Sequence, residues 1–226
     1  NGEHLNTVQA IWMKSKKDVT AEEYEGFYQF IHHTDSKPLS YMHFSADAPI
    51  VLNSVLYVPQ DNPEAMGFGR CEPNVSLYCP KVLIDSKPEN LLPEWLRFLT
   101  GVVDSEDLPL NISREMLQHD RQLRIIKNNL EKKVKSELLK LLEKRKNRSG
   151  IVYCATRKSV EHICDYLTER GYAATRYHAG LEEAERMANQ DAFLYDEKTI
   201  MVATNAFGMG IDKSNVGYVI HYNMPK

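Results

Sequence analysis

The stretch that decides the fold in the second half of this 226-residue chain is GIVYCATRKSVEHICDYLTERGYAATRY, residues 150–177. It begins with an apolar run at 151–154, continues with a helical pattern at 159–170 that Gly171 closes, and ends with a strand pattern at 173–177. Strands that alternate with helices pair in parallel, because each helix returns the chain to the starting edge. The stretch therefore predicts a parallel sheet with flanking helices.

The alternation continues to the end of the chain, with a helix predicted at 182–194 and strands at 199–203 and 216–222. The first half has another pattern, with a helix at 18–33, strands at 50–58, 75–78 and 82–84, and a short helix from Pro93. Apolar residues three and four apart, Leu138, Leu141 and Leu142 among them, then predict a helix over 113–146 with one buried stripe and with Gly150 as its terminator. We predict an α/β fold in two domains, 1–147 and 148–226.

Composition excludes several classes of function. The net charge is −3 and no apolar run approaches the ~18 residues of a membrane span, so we expect no membrane association. The four cysteines form no C-x-x-C pair, which predicts no metal site and favours a reducing, cytoplasmic location. Residues 121–148 hold 11 Lys or Arg against 3 Glu, a local charge of +8. This stretch is either a solvated helix face or a surface for an acidic partner or phosphate backbone.

Residues 101–115 are predicted to form a tight acidic loop that leads into the long helix, with Ser113 as its N-cap. Arg114 then lies in the first turn, where a positive charge opposes the helix dipole. Either Arg114 reaches an anionic group, or it pairs within the chain. The candidate partners for such a pair are Asp104, Glu106 and Asp107.

Four segments resemble the middle domain of the ninety-kilodalton heat-shock chaperones: residues 5–12, 22–24, 91–96 and 101–115. The resemblance implies an α/β sandwich that ends in a long helix. It also implies that Arg114 contacts the γ-phosphate of ATP held by a separate chaperone N-terminal ATPase domain, with Gln118 assisting. ATP and Mg would then be bound only through that partner domain.

The same resemblance implies contacts with unfolded client proteins. The loop at 60–71, with Met66 and Phe68, resembles an exposed amphipathic client loop, and Trp12 resembles a tryptophan on the client-facing side. Methionine and aromatic side chains suit adaptable binding. The alternatives are a partly covered loop and a packed aromatic side chain.

Residues 150–157, 177–181, 202–213 and 221–226 resemble the second RecA-like domain of RecQ-type helicases. The resemblance implies that Thr156, Arg157 and Thr204 lie along a nucleic-acid backbone, with single-stranded DNA as the partner. It places Gly210 and Asp212 near a nucleotide cleft. Gly208 and Gly210 would let backbone amides approach a phosphate closely. The alternative for each of these residues is a role in a turn or a cap.

No G-x-x-x-x-G-K-[ST] motif and no D-E-x-H motif occurs in the chain, so we expect no ATP turnover by the chain alone. The leading hypothesis is a chaperone middle-domain fragment joined to an incomplete helicase motor domain. An artificially assembled chain is the first explanation of this join and a gene-level fusion the second. The alternative functions are a nucleic-acid-binding helicase fragment and an inactive structural fusion.

Overall fold

The structure is a computed structural model that describes residues 10–60, 72, 74–108, 121–208 and 213–223. The described chain is mixed α/β, as predicted, and forms two compact units, 1–133 and 134–226, that divide within a long helix. The domain boundary near residue 147 stays a prediction. Six predicted site residues lie outside the described part of the chain: Met66, Phe68, Arg114, Gln118, Gly210 and Asp212.

The first unit contains a five-stranded sheet with the order β1-β2-β5-β3-β4. All neighbouring strands are antiparallel except β3 and β5, which are parallel. The strands are β1 (Ser40–Ala46), β2 (Leu52–Val58), β3 (Asn74–Cys79), β4 (Val82–Asp85) and β5 (Thr100–Asp104). The unit also contains helix α1 (Ala21–His32), three short 3-10 helices, at Ile11–Met13, Lys16–Asp18 and Glu94–Leu96, and the first part of a long helix that begins at Arg121.

Helix α1 begins where local chemistry specifies it. The Thr20 hydroxyl accepts from the Glu23 backbone N–H at 3.2 Å, and the Glu23 carboxylate accepts from the Thr20 N–H at 2.8 Å. This capping box satisfies two backbone donors that a helix start leaves open. The helix buries Tyr24 and Tyr28 in a cluster that includes Trp12 and Tyr57. The helix predicted at 18–33 is therefore confirmed, with a shorter span.

Two strands of this sheet were not predicted. Strand β1 carries Ser, His and Ser among its seven residues and has no clean apolar alternation. The acidic loop predicted from residue 101 is wrong over its first four residues, because Thr100–Asp104 is the central strand β5 and all five of its residues are buried. Thr, Gly and Asp are typical of loops. Here tertiary contacts accommodate each of them inside the sheet.

The second unit contains a four-stranded sheet with the order β7-β8-β6-β9, in which all neighbours are parallel. The predicted parallel sheet is therefore confirmed. Its strands are β6 (Ser149–Tyr153), β7 (Ala174–Tyr177), β8 (Ile200–Ala203) and β9 (Val216–His221). The helices in this half are the long α2 (Arg121–Glu143), which the two units share, α3 (Arg157–Thr168) and α4 (Glu183–Leu194).

Helix α2 differs in detail from its prediction. Leu138 and Leu142 are buried, but Leu141, predicted in the same apolar stripe, is 40% exposed. Gly150 does not terminate the helix, because α2 ends at Glu143 and Gly150 lies inside β6. A Cβ atom at Gly150 would lie 2.3 Å from the Tyr218 ring, so the absence of a side chain makes room for that ring.

The stability of the first unit should depend on pH through His43. Its ring is 5% exposed, and Nδ1 is hydrogen-bonded to the Tyr24 hydroxyl at 2.5 Å. Burial lowers the pKa of His43, with a smaller lowering from Lys16 and a partial opposing effect of a hydrogen bond to the Trp12 backbone. The unfolded chain therefore takes up the proton first as the pH falls. The stabilisation is complete above the ordinary histidine pKa and is lost below it.

We expect the free energy of unfolding to fall between about pH 7 and pH 5, with His43 contributing at most about 1.4 kcal/mol per pH unit. Urea titrations followed by tryptophan fluorescence would measure this, because Trp12 and Trp95 both belong to the first unit. His43→Gln should reduce the slope. His33→Asn should change the slope much less, because His33 is an exposed residue at φ 49°, a conformation that Asn tolerates, and its charge is only the smaller of two effects that lower the pKa of His32. Equal slopes in the wild type and His43→Gln would contradict the assignment.

Candidate functional sites

The first candidate site is residues 104–108, at the end of β5. We call these residues the root, because they precede the segment that contains Arg114. Asp104 is 1% exposed. Its Oδ2 atom accepts from the Trp12 indole Nε1–H at 2.9 Å and from the Lys81 backbone N–H at 3.0 Å. Lys81 adopts a left-handed conformation (φ 66°) in the turn between β3 and β4. One buried carboxylate thus holds together the first 3-10 helix, this turn and the end of the central strand.

The residues that follow Asp104 are tied to the sheet as well. The Ser105 N–H donates to the Tyr78 carbonyl at 3.1 Å, and its hydroxyl donates to the Val51 carbonyl at 2.7 Å. The Asp107 carboxylate accepts from the Val51 N–H at 2.7 Å, and the Cys79 thiol donates to the Leu108 carbonyl at 2.8 Å. Residues 104–108 therefore form a fixed root. Asp104 and Asp107, two of the partners considered for Arg114, already accept other hydrogen bonds.

Trp12 adopts the packed arrangement that the sequence left as an alternative to client contact. Its side chain is 8% exposed, and its ring centroid lies 5.5 Å from that of Phe27 and 5.2 Å from that of Tyr78. Together with its bond to Asp104, this packing makes Trp12 part of the root at 104–108.

An apolar edge at β4 was not predicted as a site. Val82 is 53% exposed and Leu83 is 50% exposed, and β4 is the last strand in the order of the sheet. The sequence predicted this strand but not its edge position. An edge position depends on pairing between distant segments, so no local signal could have indicated it.

The second candidate site lies at the carboxyl edge of the parallel sheet, where ligand-binding residues of such sheets usually gather. The Thr156 hydroxyl caps α3 by accepting from the Ser159 N–H at 3.1 Å. Arg157 follows it and extends over the turn after β7. A Cβ atom at Gly180 would lie 3.0 Å from the Arg157 Cδ atom. The loops after β6 and β7 therefore meet at this arginine, which is exposed.

His178 holds the turn after β7 in place. It is 3% exposed, its Nδ1 accepts from the Gly180 N–H at 3.1 Å, and its Nε2 lies 3.1 Å from the Glu161 carboxylate. Because Nδ1 accepts a hydrogen bond, Nε2 carries the proton and donates to Glu161. His178 lies within residues 177–181, which resemble the helicase domain, but the resemblance implies no role for it. The structure makes it the residue that positions Gly180 beside Arg157.

Thr204 lies at the same edge, after β8. Its N–H donates to the Tyr177 carbonyl at 3.2 Å, and its carbonyl accepts from the Phe207 N–H at 3.0 Å. The structure thus brings Thr156, Arg157 and Thr204 to one edge of one sheet. Gly208, at φ 117°, makes room for the Tyr153 hydroxyl, from which an added Cβ atom would lie 2.8 Å. That contact accounts for this glycine without a phosphate.

Among the described residues, no group of three or more His, Cys, Asp or Glu side chains could hold a metal ion. In the same part of the chain, no helix combines the length and the apolar character needed to cross a membrane.

The family to which the chain belongs follows from a comparison with known proteins. The model of the Hsp90 protein family matches residues 1–178. The chain belongs to the Hsp90 family. Several chaperone proteins HtpG are similar to it: that of Desulfotalea psychrophila is 60% identical over 117 residues, 52% of this chain and 19% of the relative. The HtpG of Desulfitobacterium hafniense is 52% identical over 141 residues, 62% of this chain and 22% of the relative.

The HtpG of Bacillus subtilis is 45% identical to this Hsp90-family chain over 149 residues, 66% of the chain and 24% of the relative. The chain thus spans about a fifth to a quarter of the length of these curated relatives. Among solved structures, the middle domain of a putative heat shock protein of Plasmodium falciparum is 29% identical, with a TM-score of 0.49, over 60% of this chain and 52% of that one.

A second family model also matches this Hsp90-family chain. The helicase conserved C-terminal domain matches residues 133–226, which overlap the Hsp90 match over 133–178. The Hsp90 match covers most of the chain, and the helicase match covers less than half of it.

Proposed function

We propose that this Hsp90-family chain works as a chaperone middle domain that supplies Arg114 to ATP hydrolysis in a separate ATP-binding domain and contacts unfolded protein. The observation that supports this function is the fixed root at residues 104–108. An arginine that must reach into another domain needs such a root, because a misplaced catalytic group loses much of its effect.

The chemistry of an arginine supplied from another domain is well suited to this step. A guanidinium fork matches the geometry of phosphate oxygens and stabilises the charge that spreads over them during phosphoryl transfer. In the proposal, Arg114 contacts the γ-phosphate and Gln118, four residues later in the sequence, assists it. ATP and its Mg ion belong to the partner domain, and this chain contributes only the two side chains.

Client contact is assigned to the β4 edge together with the segment that contains Met66 and Phe68. Val82 and Leu83 are half-exposed apolar side chains on an edge strand. An edge strand offers main-chain hydrogen bonds to an extended peptide, and apolar side chains beside it favour unfolded segments over folded surfaces. Trp12 has no part in this proposal, because its ring is buried.

ATP turnover by a separately supplied HtpG N-terminal domain tests the proposed function. We expect the unmutated chain to stimulate turnover, and Arg114→Ala to reduce that stimulation at least about tenfold, since arginines supplied in trans contribute more than this in other nucleotide hydrolases. Arg124→Ala, which removes an equal charge from the exposed side of α2, should keep the stimulation within about twofold. Absence of stimulation by the unmutated chain would refute the proposal.

A second candidate function is nucleic-acid binding by residues 148–226. It is supported by the helicase match to residues 133–226 and by the position of Thr156, Arg157 and Thr204 at one edge of the sheet. The exposed Arg157 guanidinium and the two threonine hydroxyls are groups that contact phosphates. Such contacts carry no base information, so the expected ligand is single-stranded DNA of any sequence.

Fluorescence anisotropy with a labelled oligothymidine strand measures this binding. Arg157→Ala should weaken it by at least about tenfold, the effect of one charged hydrogen bond. Lys198→Ala is the matched control, because it removes one positive charge two residues before β8, at the opposite edge of the sheet. Affinity should also fall steeply as salt rises. Equal losses in the two variants would show that general charge, and not the carboxyl edge, binds the strand.

A further inference from the structure

The amino-terminal edge of the parallel sheet contains a cavity of about 390 Å³ that neither proposed function uses. It lies where β6, β8 and β9 begin, beside the end of α2, and all of its lining residues belong to the second unit. Leu142, Ile200 and Tyr172 provide apolar and aromatic walls, while Lys146, Arg148 and Arg170 provide positive charge. Its volume lies in the range of small-molecule sites.

Two carboxylates near this cavity already have partners. Glu143 is paired with Lys146 at 3.0 Å and shares a hydrogen bond with the Tyr172 side chain. Asp196, in the adjoining cavity of about 640 Å³, accepts from Ser149, Lys213 and Asn215 at 2.8, 2.8 and 3.1 Å. These hydrogen bonds lower the pKa of Asp196 to about 2, and the one from Lys213 has the largest effect. Neither carboxylate therefore competes for the arginines.

Of the three cations that line the cavity, Arg148 is the one whose guanidinium has no partner among the described residues. A Cβ atom at Gly217 would lie 2.9 Å from the Arg148 Cβ and Cδ atoms, so the glycine lets the arginine stem pass. Within the described part of the chain, the guanidinium forms no hydrogen bond or ion pair. Five N–H donors are thus available at the cavity.

Two further donors are held in fixed positions. The Arg170 guanidinium stacks on the Tyr166 ring at 3.7 Å. Its Nη1 atom donates to the Tyr166 carbonyl at 3.0 Å and lies 3.7 Å from the exposed Glu169 carboxylate, which leaves the Nε and Nη2 N–H groups available. The Tyr218 ring lies over Gly150 and is 9% exposed. Burial raises the pKa of Tyr218 to about 12, so its hydroxyl stays protonated and can donate a hydrogen bond.

We propose that this cavity binds a small phosphorylated molecule with a flat apolar body, of the size of a nucleoside monophosphate. The phosphate contacts Arg148 and Arg170, and the body packs against Tyr172, Leu142 and Ile200. Phosphate is favoured over carboxylate because two arginine forks on one cavity match a group with three terminal oxygens and about two negative charges. The site is independent of Arg114 and of the carboxyl edge of the sheet.

Isothermal titration of the full chain with adenosine monophosphate, adenosine and inorganic phosphate tests the proposal. We expect the monophosphate to bind at least about tenfold more tightly than either of its two parts. Arg148→Ala should weaken its binding at least about tenfold, the effect of a charged hydrogen-bonded pair. The affinity of Arg148→Lys should lie between those of the wild type and Arg148→Ala, because lysine keeps the charge and loses the guanidinium fork.

Lys144→Ala is the matched control, because Lys144 is an exposed cation four residues earlier that does not line the cavity. It should change the affinity by less than about twofold. Circular dichroism should show the same fold in all variants, since the Arg148 guanidinium has no internal partner among the described residues. Adenosine binding as tightly as the monophosphate, equal binding by Arg148→Ala and wild type, or no binding up to about 10 mM would overturn the proposal.

Discussion

Replacing Gly101 with alanine is expected to unfold the five-stranded sheet. Gly101 lies in the central strand β5 at φ 133°, a conformation that a residue with a side chain rarely adopts. An added Cβ atom would lie 2.1 Å from the Val55 carbonyl oxygen. That oxygen belongs to the backbone of β2, which pairs with β5, so it cannot move without breaking the ladder.

The expected cost is at least about 4 kcal/mol, which combines backbone strain with a clash that cannot relax. Domains of this size have only about 5–15 kcal/mol of stability, so most or all of the unit should be unfolded. Urea titration followed by tryptophan fluorescence reports on this unit alone, because both tryptophans, Trp12 and Trp95, lie within residues 1–133.

Gly26→Ala is the matched control. Gly26 is exposed on α1, and nothing lies within 4 Å of a Cβ atom added there. The same substitution should therefore stabilise the unit by up to about 1 kcal/mol, because alanine is the better helix former. A free energy of unfolding for Gly101→Ala within about 1 kcal/mol of the wild-type value would contradict the close approach of β2 and β5.

Asp104→Ala should give the second largest loss, about 3 kcal/mol. Removing the carboxylate leaves the buried Trp12 indole N–H and the part-buried Lys81 backbone N–H without their acceptor. Asp35→Ala, at an exposed position in the same unit, should change the free energy of unfolding by less than about 0.5 kcal/mol.

A double-mutant cycle separates the Asp104 bond to Trp12 from general damage. Trp12→Phe removes the indole N–H and keeps an aromatic ring, and Trp95 remains as the fluorescent reporter. If the bond is direct, the two substitutions together should cost about 1 kcal/mol less than the sum of each alone. Strict additivity would contradict the bond.

The Asp104→Ala chain, in which the root at 104–108 has lost these bonds, should also stimulate the ATPase domain less, at a temperature where the chain remains folded.

The two halves of the chain differ in how well their strands could be predicted. The residues at 151–153 and 200–203 are short apolar runs and all but Tyr153 are buried, as is typical of strands inside a parallel sheet. Such runs can be recognised without knowledge of their neighbours. Strand β5 contains Thr100, Gly101 and Asp104, and each is buried only because a distant segment accommodates it. No window of local sequence contains that information.

The candidate sites show the same division. Placing Thr156, Arg157 and Thr204 at strand ends was enough to bring them to one edge, because the ends of parallel strands meet there. Trp12 could not be assigned from the sequence, since its partners Asp104 and Tyr78 lie more than sixty residues away. The cavity beside Arg148 was not predicted either, because its walls come from four separate segments.

By itself, the sequence determined the capped helix α1, the β/α alternation of the second half and the residues that carry both family resemblances. These features depend on local hydrogen bonds, on side-chain periodicity and on short motifs. Only the tertiary structure decided the order of the strands, the burial of Asp104 and Trp12, and the position of Arg148 at a cavity. These features depend on which distant segments come together, and the energy of a buried polar group depends on the partner that it meets there.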